Sequence, residues 1–358
     1  MHLRCTCLLI VFCGTLIVSG RIAGLAVAQD RNRAPTVDES IRKWAQDAPL
    51  SLRFQGTTAD QCRHWQTDFA DKLRKSLGEF QPPRSWTQTV LRRIEHIDHT
   101  FEDLLLESEG KVLPLCILTP KGASEQKYSG ILALHGHGPR GHLAIGEGDS
   151  GETLVRAGFV VVTPCFAPFG VRLGDPEAYG KQDPCGVTFV RMQLLGKLLI
   201  AENLRDSLWA LEFLMKQPTV DADRVGCVGL SYGGRMTMLT AALEPRIRIA
   251  VVSGALNVMQ ERIEQRYSCG AQVIPGLLAF GDVPEIASLI APRPAIWQIG
   301  SSDSLIKPDW ATAAIERMRR SYQDLEGQRF AGHRSIRGWP PVELAACPTH
   351  VAAGVAAL

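Results

Sequence analysis

Several features are missing from this chain of 358 residues, and each absence excludes something. Basic and acidic side chains nearly balance at a net charge of +2. No electrostatic field therefore favours nucleic acid or an anionic membrane as partner. Beyond about residue 28 no apolar run is long enough to cross a bilayer. Seven cysteines follow that point, namely Cys62, Cys116, Cys165, Cys185, Cys227, Cys269 and Cys347. Their number is odd, their spacing irregular, and no CxxC pair occurs among them. That pattern is neither a disulfide framework nor a zinc motif. One bridge involving Cys185 or Cys269 is compatible with an oxidising compartment, but spacing does not assign it. No internal repeat is visible.

What is present describes a core-forming globular chain, with 45% hydrophobic and 21% charged residues. The opening "MHLRCTCLLIVFCGTLIVSG" sets Arg4 before an apolar run, and Ala26-Val27-Ala28 supplies the small residues of a cleavage site. Residues 1–28 are read as an export signal, which makes the mature chain periplasmic or secreted and free of the membrane. The short apolar core and Arg21 argue against an uncleaved anchor, and no lipoprotein pattern is seen.

Residues 29–104 read as a polar arm followed by a helical extension. Within them Trp65, Phe69, Leu73 and Leu77 recur every four residues after Thr and Asp cap candidates, which predicts one apolar helix face. Residues 105–340 change texture. Strand-like runs at 112–118, 129–135, 158–164, 224–230, 247–253 and 294–300 alternate with helical patterns at 152–157, 188–216, 232–243 and 309–322. Continuous apolar strands between helices predict an α/β fold, a doubly wound and mostly parallel sheet. Residues 341–358 form a Pro- and Ala-rich tail.

The chemistry centres on "RVGCVGLSYGGRM". Ser231 follows an apolar strand and precedes a helix, with Gly229 and Gly233 beside it. That is the context of a nucleophile elbow, where a strained turn needs small neighbours and helix amides point at a forming oxyanion. A serine needs a base and the base an orienting group. Asp303 lies just past the 294–300 strand, and His333, after Gly332, comes thirty residues later. Asp282 and Asp309 compete as acids, but Asp282 precedes the strand and Asp309 suits a helix cap. His135-Gly136-His137-Gly138 follows the 129–135 strand, so the amide of His137 is the expected second oxyanion donor beside that of Tyr232. A rival reading takes His135, His137 and His142 as metal ligands, yet no carboxylate or cysteine is placed in sequence to complete the set.

Together, "LALHGHG", "VDADRVGCVGLSYGG", "IPGLLAFGDVPEIASLIAPRPAIWQIGSSDSL" and "FAGHR" resemble the α/β-hydrolase superfamily, in its bacterial dienelactone-hydrolase-like and acetyl xylan esterase-like branch. The likeness runs from about residue 105 to about residue 335. It implies an eight-stranded, mostly parallel sheet and a cofactor-free hydrolase with no metal, in which Ser231 is nucleophile, His333 base and Asp303 orienter. Dienelactone hydrolases proper carry a cysteine nucleophile; the serine here favours ester chemistry. The expected function is an exported serine carboxylesterase acting on small-molecule or carbohydrate esters. The rivals are a serine peptidase of prolyl-oligopeptidase-like type, for which residues 29–104 are too short to form a gating domain, and a non-catalytic binding protein that keeps the fold. Oligomeric state is not legible.

Overall fold

The computed structural model describes residues 33–78, 81–122, 127–265, 269–300 and 303–329. The expected signal at 1–28, His333 and the tail at 341–358 lie outside the described residues.

Eight strands form one sheet: β1 (Thr87–Glu95), β2 (His99–Ser108), β3 (Lys111–Pro120), β4 (Tyr128–Leu134), β5 (Phe159–Pro164), β6 (Val220–Leu230), β7 (Ile249–Ser253) and β8 (Ala295–Gln298). Their spatial order is β1-β2-β3-β5-β4-β6-β7-β8. The strands from β5 through β8 run parallel, and β1, β2 and β3 extend the sheet antiparallel. The expected α/β class, with helices on both faces, is therefore what the chain adopts.

Side-chain alternation sorts the strand residues between two apolar layers. Leu132, Leu134, Val160, Val162, Val225, Cys227 and Val252 face the larger one. Ile131, Ala133, Val161, Val228 and Val251 face the smaller, where helix Asp149–Arg156 contributes Leu154 and Val155. Both layers are apolar and buried, which is why these strands read as unbroken apolar runs. Cys116 and Cys227 lie among them as buried small hydrophobes, as their sequence context predicts.

The predicted N-terminal helix spans Ala59–Leu77 with Thr58 as its cap, and Trp65, Phe69, Leu73 and Leu77 are all buried. Its apolar face docks on the C-terminal half of the chain. Phe69 packs at 5.5 Å from Phe280, and the Gln66 amide donates to the carbonyls of Ser288 and Ala291. The extension is thus part of the main core.

Three details differ from the sequence expectation. The sheet begins at Thr87, inside the stretch read as arm and extension. Neither β1 nor β2 is among the strand-like runs of the sequence: β1 is an exposed edge strand whose Val90, Leu91 and Ile94 stand among polar and charged residues, and β2 is interrupted by Glu102 and Asp103. The polar arm contains a helix, Val37–Gln46, started by a capping box between Thr36 and Glu39. The long helix at 188–216 is two helices, Pro184–Leu194 and Leu199–Met215, meeting at a bend of 99°. Gly196, at φ +66°, breaks it. No single helix among the described residues is long and apolar enough to cross a membrane.

Candidate active site

Ser231 connects the end of β6 to helix Tyr232–Leu243 with φ 59° and ψ −117°. A side chain in that backbone conformation costs on the order of 1–3 kcal/mol, so surrounding structure must hold it. The Ser231 amide donates to the Ser253 carbonyl at 2.9 Å, and the Ser231 carbonyl accepts from the Arg235 amide at 3.0 Å. The flanking glycines are sterically required. A β-carbon on Gly229 would lie 2.4 Å from the Gly233 carbonyl oxygen, and one on Gly233 would lie 1.8 Å from the Leu134 carbonyl oxygen. The turn is therefore wedged between its own helix and the end of β4.

The loop after β4 crosses directly over this turn. A β-carbon on Gly136 would sit 3.0 Å from the Leu230 carbonyl oxygen and 3.5 Å from the Ser231 β-carbon. His135 is buried and fully engaged: Nδ1 donates to the Gly136 carbonyl at 2.8 Å and Nε2 accepts from the Phe166 amide at 2.9 Å. It fixes the loop and is turned away from substrate chemistry. His137 is exposed, its ring edge-on to Phe169 at 5.2 Å and against Tyr232 at 5.3 Å. The amides of His137 and Tyr232 find no acceptor among the described residues. They are two N–H groups available to an oxyanion. Gly138 leaves open space beyond the loop.

Asp303 follows β8. Its Oδ1 accepts from the amides of Leu305 at 2.7 Å and Ile306 at 3.1 Å, which fixes the carboxylate. Oδ2 lies 3.9 Å from the point where a β-carbon on Gly254 would stand, and the Ser231 amide nitrogen lies 3.7 Å from that same point. The structure thus brings Asp303 to the elbow. Of its competitors, Asp282 is buried and engaged with the amides of Met259, Gln260 and Val283 in a helix cap. Asp309 lies in the first turn of helix Pro308–Arg329.

Sequence reasoning missed the clamp that joins serine and acid. Gly254 takes φ +59° at the end of β7, its amide donates to the Gln298 carbonyl, and the Ser253 hydroxyl donates to the Gln298 side chain at 2.6 Å. The Ser-Gly pair closing the 247–253 strand was the available signal. Asn203 was missed as well. From helix Leu199–Met215 its side-chain amide donates to the Tyr232 hydroxyl at 2.6 Å and to the Ala167 carbonyl, while its oxygen accepts from the Ala167 amide. Burial pushes the Tyr232 phenol well up, so it is a neutral structural group.

Two cysteine sites flank the loop. Burial pushes the Cys165 thiol up, but the His135 and His142 imidazoles beside it outweigh that and hold it down at about 6. Burial pulls His142 down, yet the Asp103 carboxylate, 3.1 Å from its Nε2, and the Cys165 sulfur beside it raise it to about 9, while its Nδ1 has no hydrogen-bond partner among the described residues. His135, with both ring nitrogens bonded, has none left for a metal shared with His137. Cys185 and Cys269 face each other on His137's side of the loop. Contact with the Cys185 thiol, aided by His137, lowers Cys269 to about 6, and Cys185 is raised in turn. All six described cysteines are free and buried.

The model of the prolyl oligopeptidase family matches residues 195–262, which span the helix before the elbow, β6, Ser231 and β7. YtaP of Bacillus subtilis (strain 168), which carries a provisional hydrolase name, is 29% identical over 249 residues, covering 65% of this chain and 80% of its own. The fold is shared with a Bacteroides fragilis NCTC 9343 protein provisionally described as an acetyl xylan esterase, at TM-score 0.70 and 16% identity over 87% of this chain and 88% of that one. It is shared too with the acetyl xylan esterase of Paenibacillus sp. R4, at TM-score 0.55 and 18% identity over 88% and 97% of the two chains. Family model, relative and fold agree: the chain has the α/β-hydrolase fold and is similar in fold to the acetyl xylan esterases that share it.

Proposed function

We propose that the protein is an exported serine esterase that removes acyl groups, acetyl among them, from carbohydrate. Ser231 is the nucleophile, His333 its base and Asp303 the group that orients the base. The amides of His137 and Tyr232 stabilise the tetrahedral oxyanion. The observation that carries this reading is the strained backbone of Ser231, at φ 59° and ψ −117° on a strand-to-helix turn. Structures keep such strain where the surroundings over-determine it, which is characteristic of a working nucleophile.

In the reaction His333 takes the Ser231 proton as the hydroxyl oxygen attacks the ester carbonyl. The two amides meet the developing negative charge, each donor contributing about 10²–10³ in rate. His333 then protonates the leaving alcohol, and water resolves the acyl-enzyme by the same route. Asp303, held through Oδ1, keeps Oδ2 for the imidazole. The carbohydrate substrate is suggested by the acetyl xylan esterases that share the fold and by the export signal expected at residues 1–28.

A second reading has specific support in the prolyl oligopeptidase family model that matches residues 195–262. One assay separates the two. Wild type and Ser231→Ala are given p-nitrophenyl esters from acetate to octanoate, acetylated xylan and a proline-containing peptide amide. Ester turnover that disappears in Ser231→Ala is expected. Turnover no greater than that of Ser231→Ala would sink the esterase reading, and preferential amide cleavage would transfer the protein to the peptidases.

A further inference from the structure

His137, Cys185 and Cys269 come from three separate segments: the loop after β4, the first turn of helix Pro184–Leu194, and the residue capping the 3₁₀ turn Gly270–Gln272. One ring nitrogen and the two sulfur atoms all lie within 4.8 Å of one another. The thiols are buried, while His137 is exposed and closes the group toward solvent. The cluster is built rather than incidental. A β-carbon on Gly270 would meet the Phe189 β-carbon at 2.5 Å and the Cys185 carbonyl at 3.1 Å, so the two thiol-bearing segments are pressed together. The imidazole is oriented by Phe169 and Tyr232 on its edges.

We propose that these three side chains bind one thiophilic divalent cation of the zinc class, with the fourth coordination position open beside His137. Two thiolates and an imidazole are a soft donor set that suits zinc. Tetrahedral bonds of about 2.3 Å to sulfur and about 2.0–2.1 Å to nitrogen set donor atoms roughly 3.5–3.8 Å apart, inside the 4.8 Å within which these three stand. A disulfide between the cysteines would leave His137 unused, and its ring nitrogen within the same group is the observation that favours the metal. Binding sends the thiol protons to solvent and takes the imidazole neutral. It also ties the 135–138 loop to the two segments behind it. This proposal does not rest on the esterase reading.

The test uses the full chain, reduced and moved to oxygen-free buffer, with Co²⁺ as the probe. Thiolate-to-cobalt charge-transfer absorption saturating at one equivalent is expected, and Zn²⁺ should displace it. Cys185→Ser and Cys269→Ser should each weaken Co²⁺ binding by at least about 100-fold, whereas Cys62→Ser should not. In the wild type, where folding of a variant is not in question, Zn²⁺ should protect two thiols from alkylation. Three results would each overturn the proposal: no charge-transfer band in the wild type, a band that survives in the Cys185→Ser/Cys269→Ser double variant, or recovery of a stoichiometric Cys185–Cys269 disulfide from protein never exposed to reductant. None of these measurements reads ester hydrolysis, so failure here and failure of the esterase reading are distinguishable.

Discussion

Ser231 and Asp303 share one neighbour, Gly254, whose missing β-carbon would stand 3.7 Å from the serine amide and 3.9 Å from the carboxylate Oδ2. Ser231 and Asp303 come from turns after β6 and β8, and the residue following β7 spaces them. Gly254 also takes φ +59°, where a branched side chain is strained. Gly254→Val is therefore expected to lower kcat on p-nitrophenyl acetate by about 100-fold, with the helix content unchanged by circular dichroism. A kcat within threefold of wild type would show that this spacing is irrelevant.

Asp303→Asn keeps the size of the side chain and the Oδ1 contacts but removes the charge that orients an imidazole. On the proposed triad it should reduce kcat by about 10⁴ and leave KM within a few-fold. Equal changes in KM alone would assign Asp303 to binding.

Gly233→Ala tests packing at the elbow. The added carbon would overlap the Leu134 carbonyl at 1.8 Å, and backbone on backbone has no rotamer by which to yield. The expected loss is about 3 kcal/mol or more in urea unfolding. Gly138→Ala, where nothing lies within 4 Å, is the matched control and should be close to neutral.

Asn203→Leu should cost about 2–4 kcal/mol, because it strands the Ala167 amide and the Tyr232 hydroxyl in a buried site. Tyr232→Phe removes one bond and leaves Asn203 two, so its cost should be about 1 kcal/mol. The reverse ranking would place the key contact elsewhere.

Cys165 and His142 give opposite pH slopes. His142 is raised to about 9, so its contribution is complete below its unfolded value of 6.5 and is lost as pH rises through 9. Cys165 is lowered to about 6 from 9.0, so its contribution is complete above 9.0 and is lost as pH falls through 6. Between about pH 6.5 and 9 the two slopes offset, and wild-type stability should be nearly flat. Cys165→Ser removes the rising slope together with the part of the His142 shift that Cys165 supplies. The slope left across that window should be the falling one that His142 keeps through Asp103, read as a decline in Tm. A parallel pair of Tm profiles would refute the pairing.

The legible parts of this chain were those where one residue type answers one local demand. Continuous valine and isoleucine runs marked β5, β6 and β7, and the four-residue spacing from Trp65 to Leu77 marked a helix whose buried face the structure reproduces. Ser231 could be placed because strand, glycine and helix adjoin it in sequence. Three kinds of information were not local. β1 is an exposed edge with no apolar pattern to read. Gly254 acquires its importance from Ser231 and Asp303, which no spacing rule connects. The grouping of His137 with Cys185 and Cys269 depends on three segments meeting in space, so cysteine arithmetic along the chain had no means to find it.

The two borders of the sheet bear on how the protein behaves when crowded. An open strand edge offers unpaired N–H and C=O groups to any neighbouring chain, and such an edge is where intermolecular pairing and aggregation begin. β1 presents Arg92, Arg93 and Glu95 along its length, and its register slips between Val90 and Arg92. Like charges on an incoming copy would repel, and the irregularity spoils a straight template. At the other border β8 is only four residues long. Each end of the sheet is thus poorly suited to accept a further strand, even though Val90 and Leu91 are exposed there.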